Sequence, residues 1–376
     1  MGSTRRRRQP GGPDVRPSPA APSRLAWVDV AKGICILLVV MMHATLGTGE
    51  AMGGEGFLHP VVAFAKPFRI PDFFLLSGLF VGRVLDRDWR LFADRRVVHF
   101  AYFYGLWTLI QSAAKYGQIT AGAGPGAFLL HLAHALVEPY STLWFIYLLA
   151  LFSVATKLLR RVPWPVLLGA AAALEILPIE TGWLAVDEFC ARYVYFLGGA
   201  LFAERIFALA DFARRRPAPA LAGLAAWALL DGVLAFTPSG LAGHPTLASL
   251  PVVGLLLGAA GALAIVAAAA LLTRAGGPVT AALRHCGERS IVIYLAFFLP
   301  MAATRILIAR TGVIADVGLA SLAVTVAAAS VPLLIARAVR HTPLRVLFVR
   351  PRAFRIVPDR PEADGPAGAI GSLRGA

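Results

Sequence analysis

The apolar segment from Trp27 to Ala44, WVDVAKGICILLVVMMHA, carries three ionisable residues: Asp29, Lys32 and His43. On an α-helix, Lys32 and His43 are eleven residues apart and lie within about 20° of the same face, with Asp29 close to that face. Their axial separation is about 16 Å, so they cannot act on one atom. Ionisable side chains inside a membrane span usually face the bundle interior or a wet cavity, so we predict that this face is functional.

A structural explanation of the same three residues stays open at this point. Lys32 can extend to the cytoplasmic surface with Asp29 as its partner. His43 can form hydrogen bonds at the outer interface only. The residue types on this helix therefore favour a functional face without establishing it.

Composition places the chain in a membrane. Apolar residues make up 58% of it, and the mean hydropathy is +0.69, well above a soluble domain. The net charge of +15 does not indicate nucleic acid, because 29 of the 36 Lys and Arg residues lie in the tails and alternate connections. The loops 117–139, 180–188 and 237–247 contain none. This distribution predicts that both termini are cytoplasmic.

Hydropathy predicts an all-α bundle of about ten spans, at 26–46, 68–84, 97–116, 141–159, 163–179, 189–209, 218–236, 248–273, 289–308 and 314–336. We expect a membrane domain over 24–336, between a disordered basic tail at 1–23 and a basic, mostly disordered tail at 337–376. Short apolar segments within 57–65 and 117–139 are predicted to lie at the interface or to re-enter the membrane.

Other residues that could carry chemistry lie in the later spans. Arg69 and Asp72 are predicted at the outer end of the second span, where they bind substrate or neutralise each other. Ser77 and Gly78 form a small pair that admits a ligand or another backbone. Glu175, Arg192 and Asp231 lie within predicted spans without a partner that the sequence identifies.

A set of arginines precedes the third span and could hold an anionic cofactor, because Arg recognises phosphate well. The topology rule explains the same residues without a ligand. The set consists of Arg83, Arg87, Arg95 and Arg96.

Motifs of several enzyme classes are missing from the sequence. We find no Walker loop, dinucleotide-binding glycine fingerprint, HExxH or GxSxG at a meaningful place, which argues against motor ATPases, redox enzymes and metalloproteases. The three cysteines have no metal-ligand spacing, and we predict no metal site.

Five segments in chain order resemble the integral membrane acyltransferase family 3, which includes sugar O-acetylases of the fucose 4-O-acetylase type. Lys32 and His43 match the family's basic residue and histidine, which are separated by ten intervening residues. Both residues lie in the first segment, WVDVAKGICILLVVMMHA. The second segment, FRIPDFFLLSGLF, contains the FFxxSG element, and the third, TLWFIYLLALF, contains Trp144 in its LWF element. The last two segments are ARYVYFLGGALF and SIVIYLAFF, and the latter contains Tyr294. In the last segment many members have a histidine after the Tyr-Leu pair, whereas this chain has Ala296 and Phe297.

The resemblance implies about ten spans in a bacterial inner membrane and an acyl group, by expectation acetyl, taken from cytoplasmic acyl-CoA. The acceptor would be a hydroxyl of an extracytoplasmic saccharide or glycan. Acyl-CoA is then a substrate, and no permanently bound cofactor is expected.

Specific roles follow from this implied activity. His43 would be the general base, a role that suits imidazole. Lys32 would contact the thioester arm or a CoA phosphate. Asp29 belongs to the same candidate catalytic set but lies about 21 Å from His43 along the helix, so it cannot orient the imidazole. The candidate substrate-binding residues are Arg69, Asp72, Ser77, Trp144, Arg192 and Tyr294.

Two other classes of function compete with acyl transfer. A transporter or flippase would use the face of Lys32 and His43 as a permeation path, but the chain shows no inverted repeat and no matching pair of broken spans. A structural scaffold explains the apolar bulk but not three ionisable residues on one helical face.

Overall fold

The computed structural model describes residues 25–122 and 124–357, apart from the side chain of Arg83. The helices are α1 (Ala26–Met52), α2 (Leu58–Ala65), α3 (Pro71–Gly78), α4 (Gly82–Leu85), α5 (Trp89–Phe92), α6 (His99–Ala114), α7 (Tyr116–Thr120), α8 (Gly126–His134), α9 (Trp144–Leu158), α10 (Trp164–Ile176), α11 (Leu184–Leu201), α12 (Ala203–Arg215), α13 (Pro217–Phe236), α14 (Pro251–Ala275), α15 (Gly277–Glu288), α16 (Ser290–Ala296), α17 (Phe298–Thr311) and α18 (Val317–Val339). A π-helical segment, Ala93–Val98, joins α5 to α6, and a small hairpin pairs β1 (Pro238–Leu241) with β2 (His244–Thr246).

This architecture is that of an all-α polytopic membrane protein, as predicted. Within the described residues, five helical stretches are long and apolar enough to cross a bilayer: α1, Ser141–Leu158, α13, α14 and α18. Two bent helix pairs, α11 with α12 and α16 with α17, raise the number to seven if each counts as one span. The count of ten spans and the cytoplasmic termini remain predictions.

The predicted span at 189–209 is wrong in its bounds. The helix begins at Leu184 and ends at Leu201, and the chain then bends by 74° into α12. Asp187, in the first turn of this helix, accepts hydrogen bonds from the backbone N–H and the hydroxyl of Thr181. Local pairing of acidic groups therefore lets this helix begin earlier than hydropathy indicates.

Helix α1 runs through the centre of the bundle, where close backbone contacts hold it against α15. A Cβ on Gly287 would overlap the carbonyl oxygen of Asp29, and one on Gly33 would overlap the carbonyl oxygen of Leu283. Only glycine permits this approach on both helices. Lipid supplies no hydrophobic force between helices, so such small-residue contacts are the usual basis of packing in a membrane.

A second glycine contact joins α3 to α11. A Cβ on Gly78 would overlap the carbonyl oxygen of Phe196, and one on Gly199 would overlap that of Leu75. The prediction that Gly78 admits another backbone is thus confirmed. The contact sets Arg69, just before α3, beside the helix that carries Arg192.

The C-terminal segment differs from the disorder expected of it. Residues 340–357 fold against α6 and the π-helical segment, where Arg350 forms a buried ion pair with Asp94 at 2.9 Å. Tyr102 and Trp107 donate hydrogen bonds of 2.9 Å to the carbonyl oxygens of residues 346 and 347. These contacts outweigh the Pro- and Arg-rich composition that predicted disorder, and residues 358–376 lie outside the described part of the chain.

The contact between α1 and α15 gives a test of the packing. In Gly287→Ala the new methyl group has no room against Asp29, so the helices must separate. We expect the free energy of unfolding to fall by about 1–3 kcal/mol, which would lower the thermal unfolding midpoint of the purified protein in detergent. Gly223→Ala on α13 is the matched control, because no atom lies within 4 Å of the added Cβ. The control should be as stable as the native protein or more so, and equal midpoints for both variants would contradict the packing.

Candidate active site

A cavity of about 220 Å³ lies between the C-terminal half of α1 and the neighbouring helices α3, α9, α11 and α16. Its lining combines aromatic rings with a small number of charged groups, as ligand sites commonly do. The lining residues are Val39, Met42, His43, Arg69, Ile70, Phe73, Thr142, Trp144, Phe145, Glu188, Arg192, Tyr294 and Phe297. Five residues predicted from sequence meet here: His43, Arg69, Trp144, Arg192 and Tyr294.

His43 is half-buried on the cavity side of α1. Its ring lies 5.6 Å from the ring of Phe297, centroid to centroid, at an interplanar angle of 35°. Phe297 sits at the 53° bend between α16 and α17. In place of the histidine found in this segment of many family members, the chain therefore sets an aromatic ring beside the imidazole of His43.

Arg69 contributes a cation to the cavity wall. Its Nη1 donates a 3.0 Å hydrogen bond to the carbonyl oxygen of Val62, while its Nε is buried without a partner in the described chain. Asp72 is fully buried and does not line the cavity. These two described residues form no direct ion pair, but they lie close enough to attract each other electrostatically.

Arg192 has a partner that the sequence analysis missed. Its Nε donates a 3.0 Å hydrogen bond to Glu188, four residues earlier on α11. The i,i+4 spacing of the pair was visible in the sequence, but Glu188 lay outside the predicted span. Glu175 also has a partner, because it accepts a 3.1 Å hydrogen bond from the hydroxyl of Tyr195.

Trp144 and Tyr294 are held by a short turn at the start of α9. The hydroxyl of Tyr294 donates to the carbonyl oxygen of Thr142, which ties α16 to this turn. Ser141 has φ of 53°, a conformation that non-glycine residues rarely adopt. Backbone strain of this kind persists where the surrounding structure enforces it and clusters at functional sites.

Three other predicted site residues lie away from the cavity. The hydroxyl of Ser77 donates a 2.8 Å hydrogen bond to the carbonyl oxygen of Phe73, so it is engaged within its own helix. Asp29 is buried and Lys32 half-buried in the N-terminal half of α1. Of the three ionisable residues predicted on one face of α1, only His43 therefore lines this cavity.

The arginines predicted to hold an anion lie near the start of α6, apart from this cavity. Arg87 and Arg95 are exposed, and Arg96 is half-buried with Nη2 3.4 Å from the carbonyl oxygen of Phe80. The side chain of Arg83 lies outside the described part. Binding of an acyl donor by this set stays a prediction.

A second cavity, of about 380 Å³, lies at the other end of α1. Ala26 and Val30 form one wall, and polar residues of α15 form another. Those polar residues are Thr280, Arg284, His285 and Glu288. Cavities are thus present near both ends of α1.

The helical architecture and the cavity within it define an integral membrane protein with a site built from several spans. A family model described as an acyltransferase domain matches residues 25–337. The chain therefore belongs to this family, acyltransferase family 3.

One curated relative and the solved structures complete the comparison. The Escherichia coli (strain K12) protein named inner membrane protein YcfT is 25% identical over 213 residues, which cover 48% of this chain and 57% of the relative. The match thus spans a little over half of the relative's length. No solved structure matches the chain at a significant level.

The pair of Glu188 and Arg192 can be tested through a double-mutant cycle in thermal unfolding. Glu188→Gln removes the carboxylate from a guanidinium whose side chain is 28% exposed. We expect Glu188→Gln to lower the free energy of unfolding by about 1 kcal/mol. Adding Arg192→Gln should not lower it further, because both substitutions remove the same contact. Arg284 and Glu288 on α15 provide a matched i,i+4 pair outside this cavity, with a separation of 3.1 Å. A coupling energy near zero for Glu188 and Arg192 would contradict the assigned contact.

Proposed function

We propose that the protein is an O-acyltransferase that moves an acyl group, acetyl in the simplest case, from cytoplasmic acyl-CoA to a hydroxyl of an extracytoplasmic carbohydrate or glycan. In this proposal His43 is the general base. The observation that carries it is the position of His43 in a cavity that also contains Arg69, Arg192 and Trp144. An imidazole, cationic hydrogen-bond donors and an aromatic face are the groups that transfer to a sugar hydroxyl requires.

The chemistry at His43 balances without a further reactant. The neutral imidazole takes the proton of the acceptor hydroxyl as its oxygen bonds to the thioester carbonyl carbon. Negative charge develops on the carbonyl oxygen, and Arg192 is a candidate to stabilise it. The carbon–sulfur bond then breaks, the proton passes from the imidazolium to the thiolate, and an O-acyl ester and free CoA remain.

The donor is proposed to approach along α1 from its cytoplasmic half. Lys32 lies about 16 Å from His43 along the helix, and from there it would contact the thioester arm or a CoA phosphate. The predicted anion-binding set, Arg83, Arg87, Arg95 and Arg96, would hold the phosphates. The acceptor is proposed to enter from the opposite side, where Arg69, Trp144 and Tyr294 would bind it.

The membrane is proposed to be a bacterial inner membrane. The relative from Escherichia coli carries that location in its name, and the basic residues of this chain favour cytoplasmic termini. The family assignment favours acyl transfer over the transporter interpretation of the Lys32 and His43 face.

Transfer of labelled acetyl from acetyl-CoA to envelope glycan tests the role of His43. Membranes containing native protein or His43→Ala, at matched abundance, are incubated with the labelled donor, and glycan-bound label is counted. Loss of a general base should reduce transfer by about 10²–10⁴-fold. His341→Ala is the matched control, because His341 is exposed and lies beyond the last helix, and it should label glycan as the native protein does.

Each outcome of this experiment has a distinct meaning. Equal labelling by native protein and His43→Ala would contradict the assignment of His43 as the general base. Absence of label with the native protein as well would count against acetyl-CoA as donor or glycan as acceptor. Release of free CoA from acetyl-CoA, measured on the same membranes, then separates a different acceptor from a different donor.

A further inference from the structure

Seven basic residues lie outside the tails and cytoplasmic connections that hold the other 29 of the 36. The topology rule accounts for the 29 and not for these seven, since it favours few cations on the outer side. Four of the seven either line the His43 cavity or contact residues of the helices that form it. They are Arg69, Lys115, Arg192 and Arg305, and we refer to them as the outer cation group.

The members of the outer cation group come from four different helical segments. Arg69 and Arg192 line the cavity, are close enough to repel each other, and Arg69 also acts electrostatically on His43. The guanidinium of Arg305 lies against Gly47, one turn beyond His43 on the same face of α1, where a Cβ would overlap it.

Lys115 completes the group at the end of α6. Its Nζ lies 4.5 Å from the ring centroid of Phe298 and 5.5 Å from that of Tyr140. Phe298 follows the cavity residue Phe297, and Lys115 is close enough to Arg305 for the two cations to repel each other. Four separate segments therefore bring cations to one end of the His43 cavity.

Acidic groups compensate only part of this charge. Glu188 pairs with Arg192. Asp72 lies near Arg69 and compensates part of its positive charge electrostatically, but the two residues do not form an ion pair. Among the residues that the structure describes, Arg69, Lys115 and Arg305 form no ion pair at all. The buried Nε of Arg69 is also without a hydrogen-bond acceptor.

Half-buried cations without carboxylate partners are costly inside a membrane protein and mark a site by default. A ligand that brings its own negative charge removes this cost and forms charge-assisted hydrogen bonds to the free N–H groups. Resting on the proposed function, we infer that the acceptor is an acidic saccharide, with a fixed carboxylate or phosphate that binds the outer cation group beside the hydroxyl to be acylated. Both anions present the same oxygens to a guanidinium, and a neutral sugar leaves the cations unpaired.

Ligand-dependent thermal unfolding tests this inference without relying on turnover. The purified protein in detergent is titrated with glucuronate, glucose 6-phosphate, glucose and inorganic phosphate, all at constant ionic strength so that general screening is equal. A ligand that binds the folded state raises the unfolding midpoint in a saturable way. We expect such a rise with an acidic sugar and none with glucose.

Two variants test whether the rise in the unfolding midpoint depends on the outer cation group. Arg69→Gln should abolish the rise, because it removes the buried cation. Arg310→Gln removes a cation from the exposed end of α17 and should keep the full rise. A larger effect of glucuronate identifies a carboxylate acceptor, and a larger effect of glucose 6-phosphate identifies a phosphorylated one.

Several results would overturn the inference: equal stabilisation by glucose, no stabilisation by any of the four compounds, stabilisation by inorganic phosphate equal to that by the sugars, or an unchanged rise in Arg69→Gln. Failure of the proposed function is distinguishable from these. If an acidic sugar binds through Arg69 but native membranes transfer no acetyl group, the anion site stands and the acyltransfer chemistry falls.

Discussion

The site depends on helix backbones that approach closely enough to touch. Gly33 and Gly287 bring α1 against α15, while Gly78 and Gly199 bring α3 against α11. In lipid there is no hydrophobic force to press helices together, so van der Waals contact between backbones has to supply the attraction. The first contact anchors the helix that carries His43, and the second places Arg69 next to the helix of Arg192. A side chain larger than hydrogen at any of the four positions separates these helices and opens the cavity.

The charged groups in the cavity determine which ligands this site favours. The cavity wall is largely aromatic, and the charged groups within it are one ion pair, one additional arginine and the imidazole of His43. Because the surrounding dielectric is low, each uncompensated charge acts strongly on whatever enters. Phe297, packed against His43, excludes water from one side of the imidazole. Such an environment favours a ligand with its own negative charge and a reaction in which a proton moves to and from one base.

Much of this arrangement was predictable from residue patterns. The pattern of ionisable residues in α1 drew attention to His43, and short motifs drew attention to Trp144 and Tyr294; all three line the cavity. The positions of the long helices α1, α13, α14 and α18 followed from hydropathy because apolar length dominates in a bilayer.

Other features depend on contacts between residues distant in the chain, and a local pattern does not contain them. The buried pair of Asp94 and Arg350 orders a segment whose composition predicts disorder, although the partners are 256 residues apart. The bend of 74° after Leu201 lies inside the apolar stretch that predicted one straight span. Glu188 was missed because the predicted span began one residue after it, although it pairs with Arg192 on the same helix.

In the proposed reaction, donor and acceptor meet at His43. An experimental structure of the protein with a non-reactive thioether analogue of acetyl-CoA would show this directly. We expect the acyl end within about 4 Å of the imidazole, in van der Waals contact, with the pantetheine arm running along α1 past Val39 toward Lys32. An acyl end seated instead beside Arg284 and His285, in the cavity at the other end of α1, would contradict this expectation.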